Sequence, residues 1–235
     1  MGLDPFSIFF ADVAVTFVLG LTLLLSGLRS RAGRSLCWWG SAYLLLSVAV
    51  AMLPFSGSEV TGPVRFTAVS LILLAYALMW HGARAFERRV VRPFFLFGGA
   101  GLWLTVSILG LIPSAVINFS LYSLLNAGYC MATAYEFWRG RAEKLNGRWW
   151  AIGLSLATGV GFFGWILLSL LVAGKDGITL DKTEMFPVLT LGQLLARVAM
   201  AFAVLGMVKE RLEVVQRTAA LTDPLTGLPN RRAFF

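Results

Sequence analysis

Apolar residues in this chain fall into seven long runs, each closed by charged or turn-forming residues. They lie near residues 6–28, 36–53, 64–82, 94–112, 115–138, 149–172 and 186–208. At a helical rise of 1.5 Å, about 18 to 25 residues cross a hydrocarbon core of roughly 30 Å. The pattern therefore predicts an all-α, polytopic membrane protein, a bundle of seven transmembrane helices. The seventh run meets no helix breaker and passes into KERLEVVQRTAA, where Leu205, Val208, Leu212, Val215 and Ala219 recur at steps of three and four. That spacing shares one helical face and predicts a cytoplasmic signalling helix, read either as a dimeric seam of about two heptads or as a lone amphipathic helix.

The charges order these runs across a membrane. Arg29, Arg31 and Arg34 follow the first run, and Arg84, Arg88, Arg89 and Arg92 follow the third. Arg139, Arg141, Lys144 and Arg148 follow the fifth, and Lys209, Arg211 and Arg217 follow the seventh. The alternate connections carry little positive charge; Lys175 and Lys182 are outnumbered there by Asp176, Asp181 and Glu184. The positive-inside rule then sets the N-terminus outside and the C-terminus in the cytoplasm, which an odd number of spans satisfies. The outer connections are too short for a folded domain, so a stimulus would be read in the membrane, at its outer face or through another protein. No basic n-region precedes the first run, which is expected to be a retained helix rather than a signal peptide.

Composition agrees. The chain is 58% hydrophobic and 14% charged, with a mean hydropathy of +0.77, whereas soluble domains carry about 25% charged residues. The net charge of +8 sits between the apolar runs and is assigned to topology and anionic lipid, not to nucleic acid. Cys37 and Cys130 form no CxxC pair, and His81 is the only histidine, which excludes a bis-histidine haem or a histidine-rich metal site within one chain. No metal site, no Ser/His/Asp set and no nucleotide-binding glycine loop is expected in the runs. Glycine-rich stretches at residues 98–101 and 159–164, and Gly192 with Ala196, predict close helix packing. Aromatic pairs at Trp38 and Trp39, Phe94 and Phe95, and Trp149 and Trp150 mark either aromatic belts or a duplicated helical hairpin.

Charges inside spans cost about 2.5–3.5 kcal/mol on insertion scales and need a partner or an aqueous cavity. Asp12 in the first run and Arg197 in the seventh lie within roughly 6 Å of one depth, close enough for long side chains to meet. Gln193 is one turn above Arg197, and Asn118, Tyr122 and Asn126 share a face of the fifth helix. Two readings stand side by side. One is an ion pair that fixes the bundle; the other is an outward-opening polar pocket in which Arg197 receives an anionic or carbonyl-bearing group, the expected ligand being a small hydrophobic or anionic molecule.

The chain closes on LTDPLTGLPNRRAFF, residues 221–235. Asp223, Leu225, Thr226, Gly227, Leu228, Asn230, Arg231 and Arg232 match every specified position of the D-x-L-T-G-L-x-N-R-R signature that opens GGDEF domains, and the stretch resembles that family. The runs before it resemble, more loosely, the membrane-associated sensor (MASE-type) domains that precede bacterial GGDEF domains, chiefly through WHGARAFERR. The resemblance implies three regions: a seven-helix sensor over residues 1–208, a linker helix over 209–220, and the start of a GGDEF domain over 221–235. It implies a homodimer in the bacterial inner membrane whose output condenses two GTP into cyclic di-GMP with Mg2+. No catalytic residue of that domain falls within this chain, and no cofactor is expected in it. Alternatives are a receptor with a degenerate GGDEF or GGDEF-EAL output, which would bind or degrade the messenger, and a transporter.

Overall fold

The computed structural model describes residues 5–29, 33–56, 62–90, 93–111, 114–172 and 185–221, and the regular structure among them is entirely helical. In chain order the helices are α1 (Pro5–Arg29), α2 (Arg34–Met52), α3 (Pro63–Phe86), α4 (Pro93–Ile108), α5 (Ala115–Arg139), α6 (Asn146–Val172) and α7 (Met185–Leu221). A short 3-10 turn, Leu53–Ser56, continues α2. Proline opens α1, α3 and α4, where its fixed φ and missing N–H suit a first turn.

Among the described residues seven helices stand where seven were expected, and five of them are long and apolar enough to cross a membrane. Those are α1, α2, α3, α6 and α7. α4 has 16 residues, which reaches about 24 Å against a core of roughly 30 Å. α5 has the length, at 25 residues, but carries Asn118, Asn126, Glu136 and Arg139.

Helix contacts close a ring. α1 packs on α2, α2 on α3, α3 on α5, α5 on α6, α6 on α7, and α7 returns to α1. α4 lies outside the ring against α3. The core between the helices contains Trp39, Tyr43, Leu46, Phe137, Val204 and Met207, all nearly inaccessible. Gly40 brings α2 onto α1: a Cβ there would lie 2.4 Å from the Leu24 backbone nitrogen, so the two backbones touch. Other glycines predicted to pack do not, since Gly98, Gly101 and Gly192 face open space.

Two details of backbone position the polar groups. α3 ends with the Arg89 N–H donating to the Arg84 carbonyl (2.8 Å) and the Arg88 N–H to that of Ala85 (3.1 Å). Arg88 takes φ 55° in this Schellman turn, which reverses the chain and returns Arg89 toward α5. α7 is unbroken for 37 residues, so no joint separates the apolar half that closes the ring from the charged half that leaves it.

Candidate functional site

Two layers of polar side chains interrupt the apolar bundle. The first joins α1 to α7. Arg197 donates through Nη2 to Asp12 Oδ1, and Thr16 Oγ1 donates to the same oxygen at 3.3 Å. Asp12 and Arg197 are 4% and 6% exposed, so each charge has the other as its main compensation. Tyr43 on α2 adds a third helix by donating its OH to the Arg197 carbonyl at 2.8 Å. Arg197 Nε reaches the Gln193 carbonyl at 3.3 Å, which fixes the side chain along its own helix.

Beside this pair lies a cavity of about 30 Å3, room for one or two waters. Arg197, Tyr43, Tyr76, Thr133, Ser155 and Thr158 are among the side chains around it. Five of those residues were not foreseen from sequence, Tyr76 and Tyr43 because they sit in runs that are apolar on every side. Thr133 could have been found, since it lies seven residues after Asn126 on the face of the fifth run already marked.

The six predicted pocket residues separate into groups. Asp12, Gln193 and Arg197 come together. Asn126 is fully buried with Oδ1 unpartnered, its Nδ2 donating to the Tyr122 carbonyl at 2.9 Å. Gln193 Nε2 is likewise buried without a partner. Tyr122 packs edge-on against Phe162. Asn118 does not join the pocket. It accepts from Trp103 Nε1 at 2.9 Å and donates to Ser107 Oγ at 3.0 Å, so it ties α5 to α4.

The second layer lies at the basic end, where α3 and α5 stop and α6 starts. Glu136 receives Arg84 Nη1 at 2.8 Å and also Arg89. Arg148, 1% exposed, binds Glu87 and, at 3.0 Å, Glu143, and donates to the Phe137 carbonyl at 3.1 Å. Gly140 makes this possible, because a Cβ there would lie 2.1 Å from Glu87 Oε2 and 2.3 Å from Arg148 Nη1. α7 plugs into the same layer. Arg211 Nε donates to Glu143 at 2.9 Å and Nη2 bonds the same carboxylate. Its Nη1 donates to the Phe86 carbonyl at 2.6 Å, and its guanidinium carbon lies 3.8 Å from the Phe86 ring centroid. Glu210 accepts the Asn146 N–H at 2.8 Å. Past Leu212 every α7 residue is exposed, so Arg211 is the last α7 side chain in this layer.

The hydrogen bond from Arg211 holds the Glu143 carboxyl below its usual range, against the opposing effect of partial burial and with help from the charges of Arg211, Arg148 and Arg88. A depressed carboxyl stabilises the folded contact above its unfolded pKa, about 4.3, and that contribution disappears as pH falls through the lower folded value. A spin label at Gln216→Cys, with Cys37 and Cys130 replaced, should become more mobile as pH drops below about 4. Glu143→Gln should give the mobile spectrum already at neutral pH; an unchanged spectrum would show that Glu143 does not restrain α7.

The predicted seam also divides. Val208 is buried in the chain's own core with Leu205 and Leu212 packed against it. Val215 and Ala219 are exposed. The upper half of the stripe is therefore satisfied within one chain, because the same three-and-four spacing serves a bundle as well as a coiled coil. The eight signature positions from Asp223 to Arg232 lie outside the described residues.

His81 is buried, with Nδ1 2.8 Å from the Ala77 carbonyl and its ring beside Trp80. Among the described residues no three His, Cys, Asp or Glu side chains are grouped to hold a metal. No family model, curated protein or solved structure matches the chain.

Proposed function

We propose that this chain is the membrane-embedded sensory and dimerising module of a protein with a cytoplasmic GGDEF output that makes cyclic di-GMP from GTP. One observation carries the reading: a single unbroken helix holds Arg197 inside the bundle and Arg211 at its edge, and ends at Leu221, two residues before the Asp223 of the signature. A change at the Asp12–Arg197 layer moves the helix that leads to the output with no flexible joint between. The unpartnered Asn126 Oδ1 and Gln193 Nε2, and the small cavity beside Arg197, give this part of the bundle unused hydrogen-bonding capacity. In this reading α4 and α5 also cross the bilayer, α4 by local thinning at its short length, which gives seven spans, an outer N-terminus and an inner C-terminus. Val215 and Ala219, free on the projecting part of α7, are the seam positions left for a second copy.

The test joins the chain in frame to an intact GGDEF domain and measures cyclic di-GMP chromatographically in cells. Arg211→Ala should alter output severalfold at equal membrane level. If Arg211→Ala and the double variant Asp12→Leu/Arg197→Met both insert normally and leave output at the parental level, the signalling role is wrong.

A further inference from the structure

Exposed and half-buried residues of α6 and α7 line a groove of about 360 Å3. Small ligand clefts measure roughly 300–1,000 Å3. Each helix supplies one face to it: Gly147, Trp150 and Leu154 at spacings of three and four, and Ala199, Phe202, Ala203 and Gly206 likewise. The floor is backbone and small side chains. A Cβ on Gly147 would lie 3.0 Å from the Ala203 carbonyl oxygen, so α6 rests directly on α7 there. The walls are tall, with Trp150 73% and Phe202 66% exposed. Along α7 the lining spans eight residues from Ala199 to Gly206, about 10 Å, or a third of a hydrocarbon core.

The groove opens at the basic end. Glu210 holds the Asn146 N–H there, and Lys144 and Lys209 flank this contact in sequence, both exposed. Glu210 is engaged by that backbone donor, and Glu213 lies 3.8 Å from Lys209 in an exposed pair of small worth. We infer that this groove seats an acyl chain of an anionic phospholipid of the surrounding bilayer, with its headgroup phosphate between Lys144 and Lys209. Charge complementarity selects the anionic class, since lysines at a membrane surface attract such headgroups. Shape selects a chain over a second helix, because a helix about 10 Å across needs a flat stripe of small residues, and Trp150 and Phe202 wall this one in. The lipid would lie against the face of α7 opposite its buried residues, on the helix that carries Arg197 and Arg211.

This inference rests on the bilayer-embedded reading, and the two fail separately. Release of the chain from membranes by alkaline carbonate without detergent would end the embedded reading. With the chain retained, native mass spectrometry of the detergent-purified protein titrated with phosphatidylglycerol or phosphatidylcholine tests the site. One phosphatidylglycerol should bind per chain at concentrations where phosphatidylcholine does not. Lys144→Gln and Lys209→Gln should each weaken binding about fivefold, the equivalent of roughly 1 kcal/mol per surface lysine. Ala199→Leu/Gly206→Leu, which fills the groove from an exposed position and an open one, should abolish it. Equal binding of the two lipids, or binding that neither lysine variant alters, overturns the proposal even if the filled variant fails to fold. Loss of a chain dimer in the filled variant, with lipid binding unchanged, would assign the groove to a second copy instead.

Discussion

Arg197→Ala is expected to cost about 3–5 kcal/mol of stability, the effect of removing one partner from a buried ion pair. Asp12 would then keep Thr16 as its remaining side-chain donor at 3.3 Å while staying 4% exposed. A carboxylate in that position has too little solvation, and the chain must take up a proton or open the contact between α1 and α7. The companion double variant Asp12→Leu/Arg197→Met removes both charges at similar volume and should recover most of the loss, since buried pairs replaced by apolar groups are often neutral or better. Denaturation in mixed micelles, followed by helical circular dichroism, would measure the cycle. Equal losses in the single and double variants would mean that the pair contributes no coupling and that Arg197 acts through its volume alone. The comparison also separates folding from signalling, because only a variant that folds can report whether the charge on α7 is needed for output.

Legibility in the sequence followed the physics of each feature. The helices could be read because an apolar run of some twenty residues has few alternatives to a helix. The meeting of Asp12 with Arg197 could be read because a charge in a span must find a partner, and depth arithmetic left one candidate. The ion pairs of Glu87 and Glu136 follow from the arginines that crowd the same helix ends. Direction around a helix was harder. α4 is apolar on all sides, so nothing in it foretold that it would stand outside the ring, or that Asn118 would turn to Trp103 and Ser107. Tyr43 and Tyr76 were hidden for the same reason, as a uniformly hydrophobic helix has no face that marks its interior, whereas Thr133 lies seven residues after Asn126 on the face of α5 that the sequence does mark. The stripe from Leu205 to Ala219 shows the opposite limit: its periodicity identifies a packing face and leaves the partner undefined, which the bundle supplies for Leu205, Val208 and Leu212. Of the glycines at residues 98–101, Gly99 packs under Tyr129 as expected, while Gly98 and Gly101 face open space, because small size permits close packing without requiring it.

The basic end should show a steep hierarchy between two arginines that share one carboxylate. Arg148→Met is expected to cost about 3–5 kcal/mol, because it strands Glu87 in the cleft over Gly140. The side chains of Arg148 and Glu87 are 1% and 8% exposed, and Gly140 leaves no room for the layer to rearrange. Arg148→Lys should restore less than half of the loss, since one ammonium cannot reach Glu87, Glu143 and the Phe137 carbonyl in the geometry of a planar guanidinium. Arg148→Met/Glu87→Gln should restore more, because it removes the stranded charge. Arg211→Ala, by contrast, should cost about 1–2 kcal/mol, as a partly exposed ion pair with one carbonyl and one ring contact does. Its partner Glu143 has a side chain 42% exposed and keeps Arg148. If the same micelle denaturation gave both arginines similar losses, the layer would be uniform and Arg211 part of its foundation. The unequal outcome follows from the burial: Arg148 holds α3, α5 and α6 together, while Arg211 is a thin contact by which α7 can be released from them with little effect on the fold.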